Sequence, residues 1–404
     1  KDIAKELDVS LLLEGSVLFD KDSIIVVAQL IDPFPKEKHL WAQKYQFKLN
    51  SFLTIVNSIS SNISREINIA ILPEEQRIEN YPINSLAYDQ FLRGRYLLNQ
   101  QTPKSVQDAI EKLKWSIELD SNFAPAYSTL AEAYIMMNKF LQDDSKKSLT
   151  VSLGRLAIDK ALEKGPYIAE AYITKGNILG KFDWDWEGMY KMTLKGLELD
   201  PNNAYAHTQL SKYYLYSNQM ERSIDESLIA EKLDPLNARA GRIVAEQYFY
   251  DRQYEKSLEQ FNKVLELHPN DPMTYNGLVL LHWVTGDMEK AKTATLKFQQ
   301  LMKNHTMVEK LQSSTMEDSF RFWLNRAKKK EPLYCSNPAW IAMVSKFMGE
   351  EEEALKYLEV AYIKRDIDLP PMLLRPMFES LYHEPRFLDL VEKTGVNINV
   401  SIEQ

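Results

Sequence analysis

Six histidines, a single cysteine and scattered acidic pairs are the residues through which this 404-residue chain could do chemistry. His39, His207, His268, His282, His305 and His383 stand apart, and none has another histidine three to five residues away. His305 and Glu309 have the i,i+4 spacing of one helix face, but two donors are too few to hold a metal, and the pair reads as exposed helix residues. Cys335 lies between Pro332 and Pro338 without a nearby histidine to activate its thiol. One cysteine also excludes an intrachain disulfide, a cysteine zinc site and an iron–sulfur cluster. Asp183/Asp185 and Glu350–Glu353 suit a turn and a helix start, where free backbone N–H groups favour negative charge. The chain has no Gly-rich phosphate loop, nucleophile elbow, zincin helix or dinucleotide fingerprint. No constellation supplies a nucleophile, a base and an orienting group together. The expectation is a non-catalytic protein without cofactor or metal.

Composition narrows the class further. Apolar residues at 45% and charged residues at 26% describe an ordinary folded chain. A net charge of −8 argues against a general nucleic-acid binder, which needs a basic face to displace counterions from phosphates, so no direct nucleic-acid contact is expected. The longest apolar stretch, Ile24–Ile31, is interrupted by Gln29 and falls far short of the roughly 20 residues that span a bilayer. The chain begins at Lys1-Asp2-Ile3, inside an amphipathic pattern. It therefore reads as part of a longer protein, with room for a membrane anchor upstream.

The elements that must position any binding residue follow from a repeat. Pro201, Pro235 and Pro269 are 34 residues apart, each closing an acidic, leucine-rich segment. Pro166 precedes Pro201 by 35, and Asp120-Ser121-Asn122 fills the equivalent turn before it. Five, eight and twelve residues before these prolines stand small or apolar residues: Ala161, Ile158 and Gly154; Gly196, Thr193 and Met189; Ala230, Ser227 and Ser223; Val264, Phe261 and Ser257. A preceding helix carries Gly94, Ala131, Gly176, Ser211 or Ala245 where helices cross, with Leu97, Tyr134, Leu179, Tyr214 or Tyr248 three residues later. Close crossing needs the small residue, and the neighbour packs on the large one. This pattern resembles the tetratricopeptide repeat.

Units are expected at about 84–122, 124–166, 169–201, 204–235, 238–269 and 272–303, giving repeats over 84–303. The first has an insertion at Asn99–Pro103 and the second a long loop, Leu141–Ser148. In the third, Phe182-Asp183-Trp184-Asp185-Trp186 replaces the short turn, its tryptophans filling the seam between neighbouring units. Residues 304–404 form an irregular helical cap: one helix over Lys310–Lys330, a pair at Pro338–Met348 and Glu350–Arg365, and a tail that closes the exposed apolar end.

Residues 1–76 do not follow the repeat. Leu11–Phe19 and Ser23–Ile31, joined by Asp20-Lys21-Asp22, read as a β-hairpin, and His39–Leu49 alternates as a third strand would. Asp2–Leu7 and Ser51–Leu72 have helical spacing. Leu13-Glu14-Gly15-Ser16-Val17, Ala28-Gln29-Leu30-Ile31-Asp32, His39-Leu40-Trp41-Ala42 and Tyr45 resemble the second half of the TolB-N-like (FlgO-like) α/β domain. The Ile69–Gln76 exit and the tail residues Ala354, Leu358, Ala361-Tyr362, Arg365-Asp366 and Glu384-Pro385-Arg386-Phe387 fit the same architecture, in which repeats follow that domain. The fold class is thus mostly α: a tetratricopeptide-repeat α-solenoid of six to seven helix pairs behind a partial α/β domain. Such a half domain leaves an open sheet edge, which the missing first half or another chain would cover; a homodimer through the partial domain is one such arrangement. The resemblance implies the sensory part of a bacterial regulator, foremost an AraC-type transcription regulator, in the periplasm behind a membrane anchor or alternatively in the cytoplasm. The alternatives are a regulatory region of a nucleotide cyclase or protein kinase, and a free-standing assembly scaffold.

In this repeat class the first helices line the binding surface. Its inward positions hold Arg95, Glu132, Glu170, Asn177, Tyr205, Lys212, Tyr216, Arg239, Arg242, Glu246, Tyr250, Asn276 and Trp283. Tyrosine and tryptophan faces beside directed arginine hydrogen bonds suit a protein, a peptide or an oligosaccharide. The alternative is that Tyr216 and Tyr250 pack between units while the charges are solvated. On the binding reading, replacing Arg242 and Tyr250 with Ala abolishes binding without lowering thermal stability.

Overall fold

The computed structural model describes residues 4–5, 9–20, 23–48, 84–100, 102–141, 143–329 and 337–398. The expected helix Ser51–Leu72, most of Asp2–Leu7 and Cys335 lie outside the described residues. The chain forms two compact units, 1–140 with 152–167, and 141–151 with 168–404.

In the first unit, strands β1 (Leu12–Asp20), β2 (Ser23–Asp32) and β3 (Lys38–Lys48) make an antiparallel sheet of order β1-β2-β3. Alternation fixes its faces, because successive side chains of a strand point to opposite sides. Leu13, Leu30 and Trp41 align across one face, as do Val17, Val26 and Tyr45. Helices α1 (Ser85–Asn99), α2 (Pro103–Leu119) and α3 (Ala124–Asn138) follow. The side chain of Asn84 caps α1 by accepting from the Leu86 and Ala87 amides, and Thr102 and Ser105 form a capping box ahead of α2. Helices α1 and α2 cross where Gly94 has no side chain; a Cβ there would meet Leu113 Cγ at 2.7 Å. Helix α4 (Asp144–Lys164) starts four residues earlier than the expected loop end at Ser148, because Asp143 accepts from the amides of Ser145 and Lys146.

The second unit holds the remaining helices. Helix α5 (Ala169–Ile178) passes through a π-turn, Leu179–Asp183, into α6 (Trp186–Leu199). Three further pairs follow: α7 (Ala204–Tyr216) with α8 (Met220–Leu233), α9 (Ala238–Tyr250) with α10 (Tyr254–Leu267), and α11 (Pro272–Val284) with α12 (Met288–Leu301). Asn203, Asn237 and Asp271 cap α7, α9 and α11 at 34-residue spacing. Asn218, Arg252 and Gly286, also 34 apart, adopt the left-handed conformation that turns each first helix into its second. The small residues at the crossings let a hydroxyl join the two helices. Ser223 Oγ donates to the Ser211 carbonyl at 2.7 Å, and Ser257 Oγ donates to the Ala245 carbonyl at 2.8 Å. Paired helices repeating every 34 residues make this an α-solenoid of tetratricopeptide type, preceded by a small sheet.

The C-terminal part departs from the sequence reading in its first helix. The single helix expected over Lys310–Lys330 is two, α13 (His305–Ser313) and α14 (Met316–Lys328). Ser314 is extended between them, its hydroxyl bonded to the Lys310 carbonyl, while Thr315 caps α14 through the Asp318 amide. Adjacent hydroxyl side chains offer the backbone an alternative to helix continuation. Helices α15 (Pro338–Phe347) and α16 (Glu351–Ile363) then form a pair. Beyond them lie α17 (Leu369–Leu373), a 3-10 turn at Pro376–Leu381 and α18 (Pro385–Thr394).

This tail does more than close the end of the array. Leu369, Leu373, Phe378 and Phe387 have no exposed surface and share one apolar core with Leu215, Phe249, Tyr250 and Leu281 from the repeats. The tail therefore lies on the inner ends of the first helices. Trp184 and Trp186, expected to fill the seam between neighbouring units, are held by the end of α16 and by the tail, respectively. Trp184 packs against Tyr362 at 5.8 Å with the Arg365 guanidinium 4.1 Å from its ring centre, and Trp186 Nε1 donates to the Thr394 carbonyl at 2.9 Å. Truncating a buried aromatic of this core removes contacts that no side chain nearby can replace. Phe387→Ala is expected to cost about 3–5 kcal/mol of stability in urea unfolding followed by tryptophan fluorescence; a loss below about 1 kcal/mol would show that the tail is only loosely attached.

Candidate binding face

The residues singled out on the first helices divide by their place along each helix. Tyr216, Tyr250 and Trp283, in the last two positions of their helices, are packed, whereas the others stay accessible in whole or part. In the second unit the accessible set repeats with the fold: Tyr205 and Arg239, Lys212 and Glu246, and Arg242 and Asn276 are pairs 34 residues apart. Glu170 and Asn177 occupy the same places on α5. Glu170 and Arg239 are exposed, and Asn177, Tyr205, Lys212, Arg242, Glu246 and Asn276 are half-buried. In the first unit, Arg95 and Glu132 are exposed on α1 and α3, the Arg95 guanidinium 5.7 Å from the Phe91 ring centre.

Two contacts hold parts of this strip in fixed orientation. The Arg239 guanidinium lies 5.0 Å from the Tyr205 ring centre, a cation–π distance. Arg242 Nη1 donates to Asp271 Oδ2 at 2.9 Å, and its Nε is 3.7 Å from Glu246. Asp271 Oδ2 also accepts from the Thr274 amide and hydroxyl, so one carboxylate both caps α11 and orients the arginine of the preceding unit. Asp271 was absent from the sequence reading, although an aspartate directly before Pro272 at a helix start is a legible capping signal.

Tyr216, Tyr250 and Trp283 have other partners. Tyr250 is 7% exposed, and its hydroxyl donates to the Pro371 carbonyl at 3.3 Å. Tyr216 packs on Trp186 with ring centres 4.3 Å apart, and its carbonyl accepts from the Asn397 amide at 2.8 Å. Burial pushes both phenols above their ordinary pKa. Trp283 meets Phe347 edge-on at 4.6 Å. These three are packing residues, which corrects the expectation that Tyr250 can be removed without structural cost. Tyr250→Ala is expected to lower stability by about 2–5 kcal/mol, the range for large buried side chains; an unchanged thermal midpoint would return this residue to the accessible surface.

The tail is fixed at its start by two neighbouring carboxylates that sequence reasoning passed over. Asn337 Nδ2 donates to Asp366 Oδ1 at 3.0 Å and to Asp368 Oδ2 at 2.8 Å. The Ala339 amide donates to Asp366 Oδ2, and Trp340 Nε1 donates to Asp368 Oδ2, both at 3.1 Å. Burial first, and then the Asp368 charge, raise the Asp366 pKa from 3.8 to about 6. A carboxyl with a raised folded pKa binds its proton more tightly folded than unfolded. Its contribution therefore favours the fold at acidic pH and is lost as pH rises from about 4 to about 6.

Helix pairs at a 34-residue repeat define the class as a tetratricopeptide-type solenoid. No family model matches it. A putative adenylate cyclase 3 of Rhizobium meliloti (strain 1021) is 28% identical over 131 residues, covering 32% of this chain and 22% of that protein. The chain thus aligns with about a fifth of this relative's length. Among solved structures, a monomeric IFIT1 mutant with Gppp-AAAA is similar with a TM-score of 0.46 and 13% identity, covering 76% of this chain and 74% of that one. PilF of Pseudomonas aeruginosa has a TM-score of 0.39 and 15% identity, covering 56% of this chain and 97% of that one. YrrB, described as a TPR protein with an unusual peptide-binding site, has a TM-score of 0.30 and 18% identity, covering 51% and 98%.

The carboxylate pair makes a measurable difference to pH dependence. Replacing Asp366 by Asn removes its titration, so the variant's unfolding free energy changes less between pH 4.5 and pH 7 than that of the parent chain. Equal pH dependence of the two proteins would show that Asp366 titrates alike folded and unfolded.

Proposed function

We propose that this chain is a non-catalytic binding module that takes a protein or peptide segment along the accessible polar positions of its first helices and regulates an output domain of a longer polypeptide. The observation that carries this reading is the polar strip of the second unit, in which Tyr205/Arg239, Lys212/Glu246 and Arg242/Asn276 recur at the repeat spacing. A strip with the same period as the fold presents polar or aromatic groups at regular intervals, which suits an extended chain with regularly spaced side chains. Arg242 is already oriented by Asp271, so little side-chain freedom is lost when a ligand meets it. An oligosaccharide, also compatible with tyrosine and arginine, is the competing ligand class.

The expected readings were, first, an AraC-type transcription regulator, as the resemblance implies; second, a nucleotide cyclase or protein kinase; and third, a free-standing scaffold. The similarity to a putative adenylate cyclase favours the second. On this reading the chain itself forms no cyclic nucleotide from ATP.

A thermal-shift screen with the chain against peptide and oligosaccharide libraries tests the ligand class. Ligands of the native state raise the midpoint, and the expected hits are peptides. The Lys212→Ala/Arg239→Ala double variant is expected to keep its unliganded midpoint and lose the peptide-induced shift. Hits confined to oligosaccharides, or a peptide shift unchanged in the double variant, would refute the assignment.

A further inference from the structure

The two outer edges of the N-terminal sheet are chemically unlike. Along β3, Lys38, His39 and Lys44 are exposed, and the pairing with β2 shifts register between Leu30 and Ile31. Charged side chains and irregular pairing are the usual means by which proteins keep a sheet edge from joining another strand. Strand β1 has the carboxylates of Glu14 and Asp20 but no basic side chain and no irregular pairing. It carries no lysine, arginine or proline, and its nine residues pair with β2 without interruption from Leu12 to Asp20. Residues 13–18 are all exposed, with Leu13 at 54%, Val17 at 57% and Leu18 at 63%. Among the described residues, no strand pairs with its outer edge. Leu13 and Val17 lie on the same face as Leu30 and Tyr45, which are buried. The apolar layer of the sheet thus runs on to an edge that no strand covers among the described residues.

We infer that β1 is a homodimer interface, in which β1 of one copy pairs antiparallel with β1 of a second copy about a two-fold axis at Gly15, forming a continuous six-stranded sheet. The occupant follows from the strand's own order, Leu12-Leu13-Glu14-Gly15-Ser16-Val17-Leu18. An axis at Gly15 sets Leu13 opposite Val17 of the partner subunit and Leu12 opposite Leu18 of the partner subunit, with Glu14 opposite Ser16 of the partner subunit. Each apolar residue meets an apolar one, and the carboxylate meets a hydroxyl. Directly opposed side chains are the unit of stabilisation between strands, and like charges there are destabilising. An axis at Val17 would oppose Glu14 and Asp20 of the partner subunit, and one at Ser16 would set both carboxylates opposite leucines, so side-chain matching favours the Gly15 register. The pairing also satisfies backbone groups along the β1 edge.

Sedimentation velocity on the chain over a concentration series tests this together with two variants. The unmodified chain is expected to dimerise reversibly. Val17→Lys, at an exposed site, is expected to weaken the dimer by at least about tenfold while leaving the thermal midpoint unchanged, because it sets a charge opposite an apolar residue at the edge. In a Cys335→Ser background, Leu13→Cys/Val17→Cys is expected to form disulfide-linked dimers on oxidation. The two cysteines of one chain are about 13 Å apart along a strand, too far to bridge each other, whereas facing positions of an antiparallel pair are within bridging distance. A chain that remains monomeric throughout, a dimer indifferent to Val17→Lys, or a dimer that forms no cross-link would each overturn the inference.

Discussion

A helix pair of this repeat cannot bury its own apolar inner end, and in the second unit the chain covers that end with its own last thirty or so residues. Everything else in the unit is arranged around this contact. The first helices end in large side chains, Tyr216, Tyr250 and Trp283, which would be costly to leave in water. The tail supplies Leu369, Leu373, Phe378 and Phe387 to meet the repeat core. Its backbone and side chains are tied to the repeats by bonds from Trp186 to Thr394, from Asn397 to Tyr216 and from Tyr250 to Pro371. Arg365 donates to the Asp183 carbonyl, so the irregular segment between α5 and α6 belongs to the same contact.

Covering one end of each first helix determines what the other end can do. The last side chains of each first helix are committed to the core, and recognition is left to the second, fifth and ninth positions, where polar or aromatic residues recur with the repeat. The closest pair among them is built from two consecutive units: Arg242 on α9 meets the aspartate that caps α11. Because that carboxylate already serves a helix cap, the arginine is oriented by the same interaction that starts the next unit. Preorganisation of this kind lowers the entropy lost on binding.

The local structure was legible in the sequence because it is set by short-range chemistry. Pro201, Pro235 and Pro269 follow the ends of α6, α8 and α10 by two residues, since proline cannot continue a helix and suits the turn. Alternation in Leu12–Lys48 marked the strands for an equally local reason. What was not legible is what covers a given face. Lys212 and Tyr216 are one helical turn apart on α7, and periodicity assigns them to one side alike. Only the return of the tail, whose residues lie more than a hundred positions later, separates a half-buried lysine from a packed tyrosine. The break at Ser314 was missed because Ser313-Ser314-Thr315 has the polarity of an exposed helix face, yet its hydroxyls can also end a helix.

The attachment point of the tail shows how a polar anchor can serve an apolar contact. Asp366 and Asp368 are costly neighbours, since burial and mutual repulsion both oppose their charges. Their position at the first turn of α15 offsets this. The Ala339 amide is one of the N–H groups that a helix start leaves without an intrahelical acceptor, and Asp366 accepts from it. Asn337 caps the same helix through its side-chain oxygen and spans both carboxylates with its nitrogen. Leu369 follows one residue later and is fully buried. Apolar packing can be satisfied by several registers of a leucine-rich segment, whereas directed bonds to two adjacent carboxylates permit one. The carboxylate pair therefore sets the register in which α17 enters the core, at a cost in charge burial that the apolar contact behind it offsets.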